Sequence, residues 1–333
     1  MSPLLEVEGL VKHYPAGTVW RRRETVVHAV NGVSFDLAAG ETLGMVGESG
    51  SGKTTVGRLI LRLTAATAGR VRFEGADVLA LPAPELRAVR RRMQIVFQDP
   101  YSSLDPRMRA GAAVAEGLEI HRLLPRDEIP DRVEQLFLEV GLDPSFAAKL
   151  PHECSGGQRQ RIGIARALAV DPAFLVCDEP VSALDVSVQA QVLNLLADLQ
   201  RRRDIALLFI AHDLAVVRQL AHRIAVMYFG RIVELGPTES VIRNPRHPYT
   251  SALISAVPEP DPGHQRTRIV LQGEPPRPTA VPPGCPFASR CFHPRKNDRC
   301  TTELPALRPV GDAQVACHHA EHPSAPVPLR ALP

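Results

Sequence analysis

The sequence is poor in aromatic residues and has no long apolar segment. Phenylalanine, tryptophan and tyrosine make up 5% of the 333 residues, with a single tryptophan. No apolar run approaches the roughly 20 residues that a membrane-spanning helix needs, and the N-terminus lacks the cationic and then apolar pattern of a secretory signal. We therefore expect a protein of the cytoplasm whose contact with a membrane comes through a partner.

Neither sign of charge dominates the chain. The formal net charge is +3, so no global basic field argues for nucleic acid binding. Short basic runs at 21–23, 90–92 and 201–203 are expected to be solvated faces. The 44% hydrophobic content is enough for a sizeable core at this length, and it predicts one main domain with an appendage.

The most informative stretch is a phosphate-binding loop. Residues 47–54 fit the G-x-x-x-x-G-K-[ST] template between an apolar strand at 43–46 and a helix predicted over 56–63. Glycines let backbone N–H groups turn towards a polyphosphate at the helix N-terminus, Lys53 reaches the terminal phosphates, and Thr54 binds Mg²⁺. A glycine-rich turn with a solvated lysine is the alternative. The predicted nucleotide-binding residues here are Gly47, Glu48, Ser49, Gly50, Ser51, Gly52, Lys53, Thr54 and Thr55.

An all-helical insertion is predicted inside an α/β scaffold. Gln98 closes a buried strand and opens a turn-rich loop, after which helical periodicity runs through 108–121 and 131–140. Small residues at 155–158 then precede a helix predicted over 159–169. Their N–H groups at a helix N-terminus are suited to a second phosphate face.

Two strand ends carry groups that suit phosphoryl chemistry. The apolar strand at 174–177 ends in Asp178 and Glu179, which suits one carboxylate near Mg²⁺ and a second that orients or deprotonates water. His212 follows a buried strand at 205–211, at the strand end where open α/β sheets bind ligands. A helix-capping acidic pair and a structural histidine are the alternatives.

Taken in this order, these segments resemble the nucleotide-binding subunit of an ABC transporter over about residues 4–240. The resemblance implies an α/β P-loop NTPase fold, the ABC ATPase fold, with a helical subdomain at about 99–170 and an antiparallel β subdomain. Cys154 stands where the family signature usually has leucine. The resemblance assigns adenine stacking to Tyr14, the Walker A loop to Gly47 to Thr55 with catalytic Lys53, and the Q-loop with a Mg²⁺ ligand to Gln98. It assigns the signature to Ser155, Gly156, Gly157 and Gln158, and Walker B to the strand that ends in the Mg²⁺ ligand Asp178. Glu179 is then the catalytic carboxylate, Asp185 ends the D-loop, and His212 is the switch histidine.

The resemblance narrows to the ATPase subunits of oligopeptide and dipeptide importers, on the segments 98–106, 179–187 and 244–250. It implies ATP and Mg²⁺ as cofactors and a peripheral position on the cytoplasmic face of the membrane. A second ATPase subunit, a copy or a paralogue, would pair head to tail so that ATP lies between one Walker A loop and the other signature. Two membrane permeases would dock a coupling helix at 98–121, and an extracytoplasmic binding protein would select the solute.

Two other functions are compatible with a nucleotide-binding cassette. A soluble ABC ATPase acting on nucleic acid or ribosomes is the alternative, but such proteins generally carry two cassettes in one chain, a long coiled coil or zinc-binding insertions. None of these is visible in the sequence. A purely regulatory nucleotide-binding module would be expected to lose Glu179 or His212, and both are present.

The composition changes after residue 257, since the remaining segment holds 16 of the 31 prolines. Proline at this density disfavours regular helices and central strands. We therefore expect a nucleotide-binding domain at 1–257 and a separate extension at 258–333, of the type that follows the cassette in oligopeptide and dipeptide transporters.

Four of the six cysteines lie in this extension, at Cys285, Cys291, Cys300 and Cys317. Without a secretory context, structural disulfides are disfavoured and a four-thiolate metal site is favoured. The C-x-x-C pairs of most zinc sites are absent. The resembling extensions begin with a similar Gly-Cys-x5-Cys, and some bind a [4Fe-4S] cluster, which we predict here. Zinc, in a site that includes His318 and His319, and reduced structural cysteines are the alternatives.

Overall fold

Apolar segments of the sequence form fully buried strands in the structure, a computed structural model that describes residues 3–16, 25–257 and 268–322. Every residue of Phe174–Asp178 and Ala206–Ala211 is buried. Such continuous apolar runs are typical of parallel strands covered on both faces. The strands predicted from these runs are confirmed.

The described residues form twelve strands and ten α-helices. The strands are β1 (Leu5–Ala16), β2 (Thr25–Leu37), β3 (Thr42–Val46), β4 (Ala68–Phe73), β5 (Ala76–Asp77), β6 (Met93–Val96), β7 (Phe174–Asp178), β8 (Ala206–Ala211), β9 (Arg223–Tyr228), β10 (Arg231–Pro237), β11 (Arg308–Val310) and β12 (Ala313–Val315). The helices are α1 (Lys53–Ile60), α2 (Ala83–Arg92), α3 (Ala110–His121), α4 (Ile129–Glu139), α5 (Gly156–Leu168), α6 (Val186–Arg203), α7 (Leu214–Arg218), α8 (Thr238–Arg243), α9 (Pro248–Ser255) and α10 (Arg299–Thr302). No helix in this part of the chain has both the length and the apolar character needed to cross a membrane.

The chain divides into two units. The first unit comprises Met1–Leu4, Leu37–Thr42 and Ala80–Ile210. The second unit comprises Leu5–Asp36, Leu43–Leu79 and Ala211–Pro333.

The first unit combines a parallel sheet with a group of helices. Strand β7 lies between β6 and β8, with Val176 opposite Ile95 on one side and Leu208 on the other. The helices α3, α4 and α5 pack together, and the buried side chains of Val114 and Phe137 lie on α3 and α4. These helices form the all-helical insertion that the sequence predicts.

One residue of the basic run at 201–203 differs from the prediction of a solvated face, and the arginines of the run at 90–92 are only partly exposed. The side chain of Arg203, at the end of α6, is only 15% exposed and forms an ion pair with Glu139 of α4 at 2.5 Å. A second carboxylate, Asp171, lies 3.3 Å from the same guanidinium. Arg203 therefore ties two helices together, whereas Arg201 is 72% exposed as predicted. The run at 21–23 lies outside the described residues.

The second unit contains the predicted antiparallel β subdomain. Strands β2, β1, β4 and β5 form a four-stranded sheet in that order, with antiparallel pairing of β1 with β4 and of β4 with β5. A second set of strands begins with the parallel pair β3 and β9 and continues antiparallel through β10, β12 and β11. Strand β3, whose residues are all buried, leads directly into the phosphate-binding loop.

The described part of the proline-rich extension, residues 268–322, forms short elements that pack within the second unit. Strand β12 pairs with β10, where Val315 lies opposite Glu234, and Pro309 lies on the neighbouring strand β11. A small buried cluster joins Val310, Ala313, Val315 and Ala320. The predicted scarcity of regular helices is confirmed within 268–322, because α10 spans four residues. The prediction against central strands is wrong for β12, which contains no proline and pairs with both β10 and β11.

Candidate functional site

The phosphate loop, residues 47–55, has two positions at which the backbone requires glycine. Gly47 and Gly52 have φ values of 155° and 102°, and a Cβ at either would collide with a carbonyl oxygen, that of Met227 or Ala29. At Gly50 a Cβ would meet no atom within 4 Å. The loop is therefore held tightly at its base and has open space at its crest, a shape that fits a polyphosphate.

Lys53 places a cation inside this loop. Its side chain is buried, and Nζ donates to the carbonyl oxygens of Gly47 and Glu48 at 2.8 and 3.0 Å. Nζ also lies 3.5 Å from Ser51 Oγ. Because Lys53 is also the first residue of α1, the ammonium lies beside the positive end of a helix, and both favour phosphate.

Glu48 has partners that the sequence did not reveal. Its backbone N–H donates to the Tyr249 hydroxyl at 2.8 Å, so this amide serves the loop's shape rather than a ligand. Its carboxylate accepts from Arg290 Nη1 at 2.9 Å. Tyr249 lies on α9 and Arg290 in the extension. Tyr249 lies in the segment 244–250 that carries part of the family resemblance, but that segment does not predict the contact with Glu48.

Two further predicted residues, Tyr14 and His212, belong to the same unit as the phosphate loop. Tyr14 lies near the end of β1 with 36% of its surface exposed, and the Lys12 ammonium lies 4.6 Å from its ring centroid. His212 is exposed immediately after β8, and Asp213 then caps α7 by accepting from the Ala215 amide at 2.8 Å. Adenine stacking by Tyr14 and phosphate contact by His212 stay predictions.

The first unit brings Gln98 and Glu179 into direct contact. Gln98 Nε2 donates to Glu179 Oε2 at 3.0 Å. Glu179 has a φ of 46°, in the left-handed region that is strained for a non-glycine residue, and its amide donates to the Ile210 carbonyl at 3.0 Å. Asp178, one residue earlier, ends β7 and is 2% exposed. Backbone strain next to a buried carboxylate is a common property of functional sites.

The signature segment, residues 155–158, begins α5 with a capping box. Ser155 Oγ accepts from the Gln158 amide at 3.3 Å, and Gln158 Oε1 accepts from the Ser155 amide at 2.8 Å. The intervening glycines leave their N–H groups at a helix N-terminus, which suits an anion. Cys154 packs beneath the segment at 4% exposure, and its Sγ lies 3.7 Å from the Leu150 carbonyl. A small apolar side chain therefore fills the position usually held by leucine.

Asp185 lies at the start of α6, whose residue Val188 packs against the signature segment. It caps α6 by accepting from the Val188 amide at 3.0 Å, and it also accepts from Ser187 Oγ at 2.7 Å. These hydrogen bonds lower the pKa of Asp185. A Cβ at Gly157 would lie 2.5 Å from a Val188 methyl group, so the two helix starts are packed closely. A larger residue at Gly157 would therefore displace the start of α6, where Asp185 forms its capping hydrogen bonds.

A cavity of about 280 Å³ lies in the first unit beside the loop that Gln98 opens. Arg166 lines it, donates to the Ser103 carbonyl at 2.6 Å, and has a pKa lowered by burial. Ile120 also lines it and is 47% exposed. Arg109 does not line this cavity, and its guanidinium donates to the Ala148 carbonyl.

The four C-terminal cysteines lie close enough to affect one another electrostatically. Burial, together with the neighbouring cysteines, raises the pKa of Cys285 to about 12 and that of Cys317 to about 11. Among residues 3–16, 25–257 and 268–322, however, no group of three or more Cys, His, Asp or Glu side chains is arranged to hold a metal ion. The predicted iron–sulfur cluster and the zinc alternative are therefore not supported.

Several groups at these cysteines also have hydrogen-bond partners. Without a metal ion, burial favours the neutral thiols of Cys285 and Cys317. His318 Nε2 lies 2.9 Å from the Glu303 carbonyl, so this ring nitrogen already has a partner. The Cys317 sulfur accepts from the His319 amide at 3.4 Å.

Two families match parts of this chain. The ABC transporter family matches residues 30–182, and the C-terminal region of oligopeptide/dipeptide transporters matches residues 233–300. A probable peptide ABC transporter ATP-binding protein of Sinorhizobium fredii is 54% identical over 95% of this chain and 89% of that protein. The di/tripeptide transport ATP-binding protein DppF of Pseudomonas aeruginosa is 46% identical over 96% of this chain and 99% of its own length.

Solved structures support the same fold. The dimeric post-hydrolysis structure of the ATP-binding cassette MJ0796, bound to ADP and Pi, is 28% identical with a TM-score of 0.63, and the match covers 70% of this chain and 98% of that one. The structure of cbiO1 from Clostridium perfringens, part of the ABC transporter complex cbiONQ, is 27% identical with a TM-score of 0.63 over 73% of this chain and 92% of that one.

Proposed function

Because the chain belongs to the ATP-binding subunits of ABC transporters, we propose that it hydrolyses ATP to power the import of peptides through a membrane transporter. The observation that carries the peptide assignment is the match of residues 233–300 to oligopeptide/dipeptide transporters. Relatives whose names specify peptide transport match almost the whole chain, and these matches support the assignment. The alternative of an ATPase acting on nucleic acid or ribosomes has no support from these comparisons.

ATP and Mg²⁺ are the cofactors of this proposal. Lys53 and the N-terminus of α1 hold positive charge within the phosphate loop, and we assign the Thr54 hydroxyl, Asp178 and Gln98 as Mg²⁺ ligands. When bound, Mg²⁺ supplies charge neutralisation for the phosphates. Tyr14 is assigned to stack on the adenine ring, which its exposed aromatic face permits.

Glu179 is assigned the central step of hydrolysis. It orients or deprotonates the attacking water, and the Gln98 amide holds its carboxylate at 3.0 Å without adding a competing base. Lys53 offsets charge on the transferred phosphoryl group, and His212 contacts the γ-phosphate. Strained backbone at Glu179 supports this role, because such strain is retained mainly where function requires it.

The signature segment is assigned to a second subunit's nucleotide. In a head-to-tail dimer, Ser155 and the two glycines that follow it would face the phosphates bound by the partner's phosphate loop. The capping box supports this role, because it fixes the first turn of α5 and leaves the glycine N–H groups at the helix start. Whether the partner is a copy or a paralogue does not alter this arrangement.

The cavity beside the Gln98 loop is the proposed docking site for a permease. Predicted contacts at 98–121 include Glu116 and Ile120, which line the cavity with Phe97 and Arg166. An exposed apolar side chain next to charged groups suits an amphipathic helix. We place the protein at the cytoplasmic face of the membrane on this basis, bound to two permeases, with an extracytoplasmic protein delivering the solute.

The domain division at 257/258 and the iron–sulfur cluster stay predictions from sequence and resemblance. Protein purified without oxygen tests the cluster directly. About four irons and four sulfides per chain, lost in Cys291→Ser, would establish it. About one zinc per chain would establish the zinc site, and metal-free protein would leave reduced cysteines.

Uptake of a labelled dipeptide tests the transport function. Cells that lack this chain should lose uptake, and the wild-type gene should restore it while Glu179→Gln should not. Uptake of an amino acid by an unrelated carrier is the control for cell energy. Undiminished dipeptide and oligopeptide uptake in cells lacking the chain would overturn the peptide assignment.

A further inference from the structure

Glu48 is the one carboxylate within the phosphate loop, and three of its polar groups have partners. The carbonyl oxygen accepts from Lys53 at 3.0 Å, and the amide donates to the Tyr249 hydroxyl at 2.8 Å. The carboxylate accepts from Arg290 Nη1 at 2.9 Å. Two of these three contacts therefore come from the C-terminal part of the second unit.

Arg290 is held firmly in this position. Its side chain is only 9% exposed, and Nη1 also lies 3.4 Å from the Tyr228 hydroxyl. Three residues earlier, Phe287 packs among the rings of Tyr228 and Tyr249, with centroids 5.3 and 5.5 Å apart. The Arg290 amide donates to the Phe287 carbonyl at 3.0 Å. Packing of Phe287 in this ring cluster therefore fixes the nearby Arg290 guanidinium against the Glu48 carboxylate of the loop.

We propose that Arg290 is a positioning residue for ATP binding that neutralises Glu48. A carboxylate in a loop that receives a polyphosphate repels the ligand, and partial burial strengthens that repulsion. The Arg290 guanidinium removes it and fixes the carboxylate away from the open crest at Gly50. The inference rests on ATP binding at the phosphate loop and is independent of the transported solute.

This role differs in a measurable way from simple anchoring of the extension. If Arg290 acts by neutralising charge, its loss matters only while the Glu48 carboxylate is present. If Arg290 only anchors the extension, removing the Glu48 charge does not restore the ATP affinity that is lost with Arg290. The two roles therefore give opposite results in a double-mutant cycle.

The test uses the full chain with MgATP, whose binding is followed by displacement of a fluorescent nucleotide. We expect Arg290→Met to weaken ATP binding about tenfold. The loss should be smaller at high salt, because salt screens repulsion from the Glu48 side chain, which is 32% exposed. Arg290→Lys should retain most of the affinity, since it keeps the charge. Arg290→Met with Glu48→Gln should return to within about twofold of wild type. Arg299→Met is the matched control, because Arg299 pairs with the exposed Glu303 in the same extension.

Glu48→Gln alone provides a second test should Arg290→Met fail to fold. With Arg290 intact and the carboxylate removed, ATP should bind about two- to threefold more tightly. Wild-type affinity in Arg290→Met would overturn the proposal. So would a loss that Glu48→Gln does not repair, or weaker ATP binding by Glu48→Gln alone. Direct measurement of ATP binding keeps these outcomes separate from any failure of the peptide-import proposal.

Discussion

Gln98 and Glu179 are joined by a hydrogen bond of 3.0 Å from the amide Nε2 to the carboxylate Oε2, although 81 positions separate them in the chain. An amide cannot take a proton from water, so it positions the carboxylate without replacing it as a base. Gln98 also begins the loop beside the proposed permease-docking cavity. A displacement of this loop would therefore act directly on Glu179, and this would connect the proposed permease docking with the hydrolysis proposed for Glu179.

The first prediction concerns hydrolysis. Glu179→Gln keeps the size of the side chain but removes the base, so ATP binding should persist while turnover falls by at least about 100-fold. Phosphate release and nucleotide binding, measured with the partner subunit present, check this. Glu85→Gln, at an exposed carboxylate on α2, should turn over normally. Near-normal turnover by Glu179→Gln would show that another group activates the water.

The second prediction concerns permease docking. Ile120→Arg places a charge on the 47% exposed apolar residue that lines the cavity, so it should reduce co-purification of the permeases at least about tenfold. Nucleotide binding by the isolated protein should not change. Leu138→Arg is the matched control, because Leu138 is a 62% exposed apolar residue on α4 outside the cavity lining. Equal permease recovery by both variants would mean that docking occurs elsewhere.

The third prediction separates helix capping from function in the signature segment. Ser155→Ala removes the hydroxyl that caps α5 and should lower the free energy of unfolding by about 1 kcal/mol. Asp143→Ala removes a comparable cap, which accepts from the Ser145 amide at 2.8 Å, away from the signature. Urea unfolding should show similar losses in both variants. Only Ser155→Ala should slow ATP hydrolysis by the assembled dimer. If both variants slowed hydrolysis equally, Ser155 would have only a structural role.

The phosphate loop could be predicted from the sequence because its chemistry is local. Strand β3, the glycines and Lys53 follow one another without interruption, and the positive φ values at Gly47 and Gly52 are required by that pattern. The capping box of the signature segment is local for the same reason, since Ser155 and Gln158 lie one helical turn apart. Such motifs carry their geometry within a few residues.

The supports of Glu48 could not be predicted in this way. Tyr249 and Arg290 lie 201 and 242 positions further along the chain, and no local pattern around either residue points to the loop. The proline content of the extension suggested a separate appendage, whereas Phe287 packs into the ring cluster of the second unit. Burial of a single aromatic residue depends on the tertiary structure and leaves no periodic signal.

The last prediction concerns Glu234, a fully buried carboxylate on β10. It accepts from the amides of Arg246 and His247 at 2.8 and 2.9 Å, just before α9. Burial raises the pKa of Glu234 from 4.5 to about 7, against the opposing effect of these hydrogen bonds. The folded state therefore binds this proton more tightly than the unfolded state. The stabilisation that comes from protonated Glu234 is complete below pH 4.5 and is lost as the pH rises through about 7.

Glu234→Gln removes this titration. Between pH 5 and pH 8, the wild-type free energy of unfolding should fall by about 2 to 3 kcal/mol more than that of the variant. The amide also faces backbone donors, which should cost about 1 to 3 kcal/mol at every pH and so leave the difference in slope intact. Glu303→Gln is the control, because pairing with Arg299 lowers the pKa of Glu303 and moves its titration below this window. Urea unfolding at several pH values measures all three proteins, and parallel curves for wild type and Glu234→Gln would show that Glu234 is already ionised at pH 5. A greater slope in wild type would mean that the folded protein is most stable when Glu234 carries a proton, because burial outweighs the hydrogen bonds that favour the ionised carboxylate.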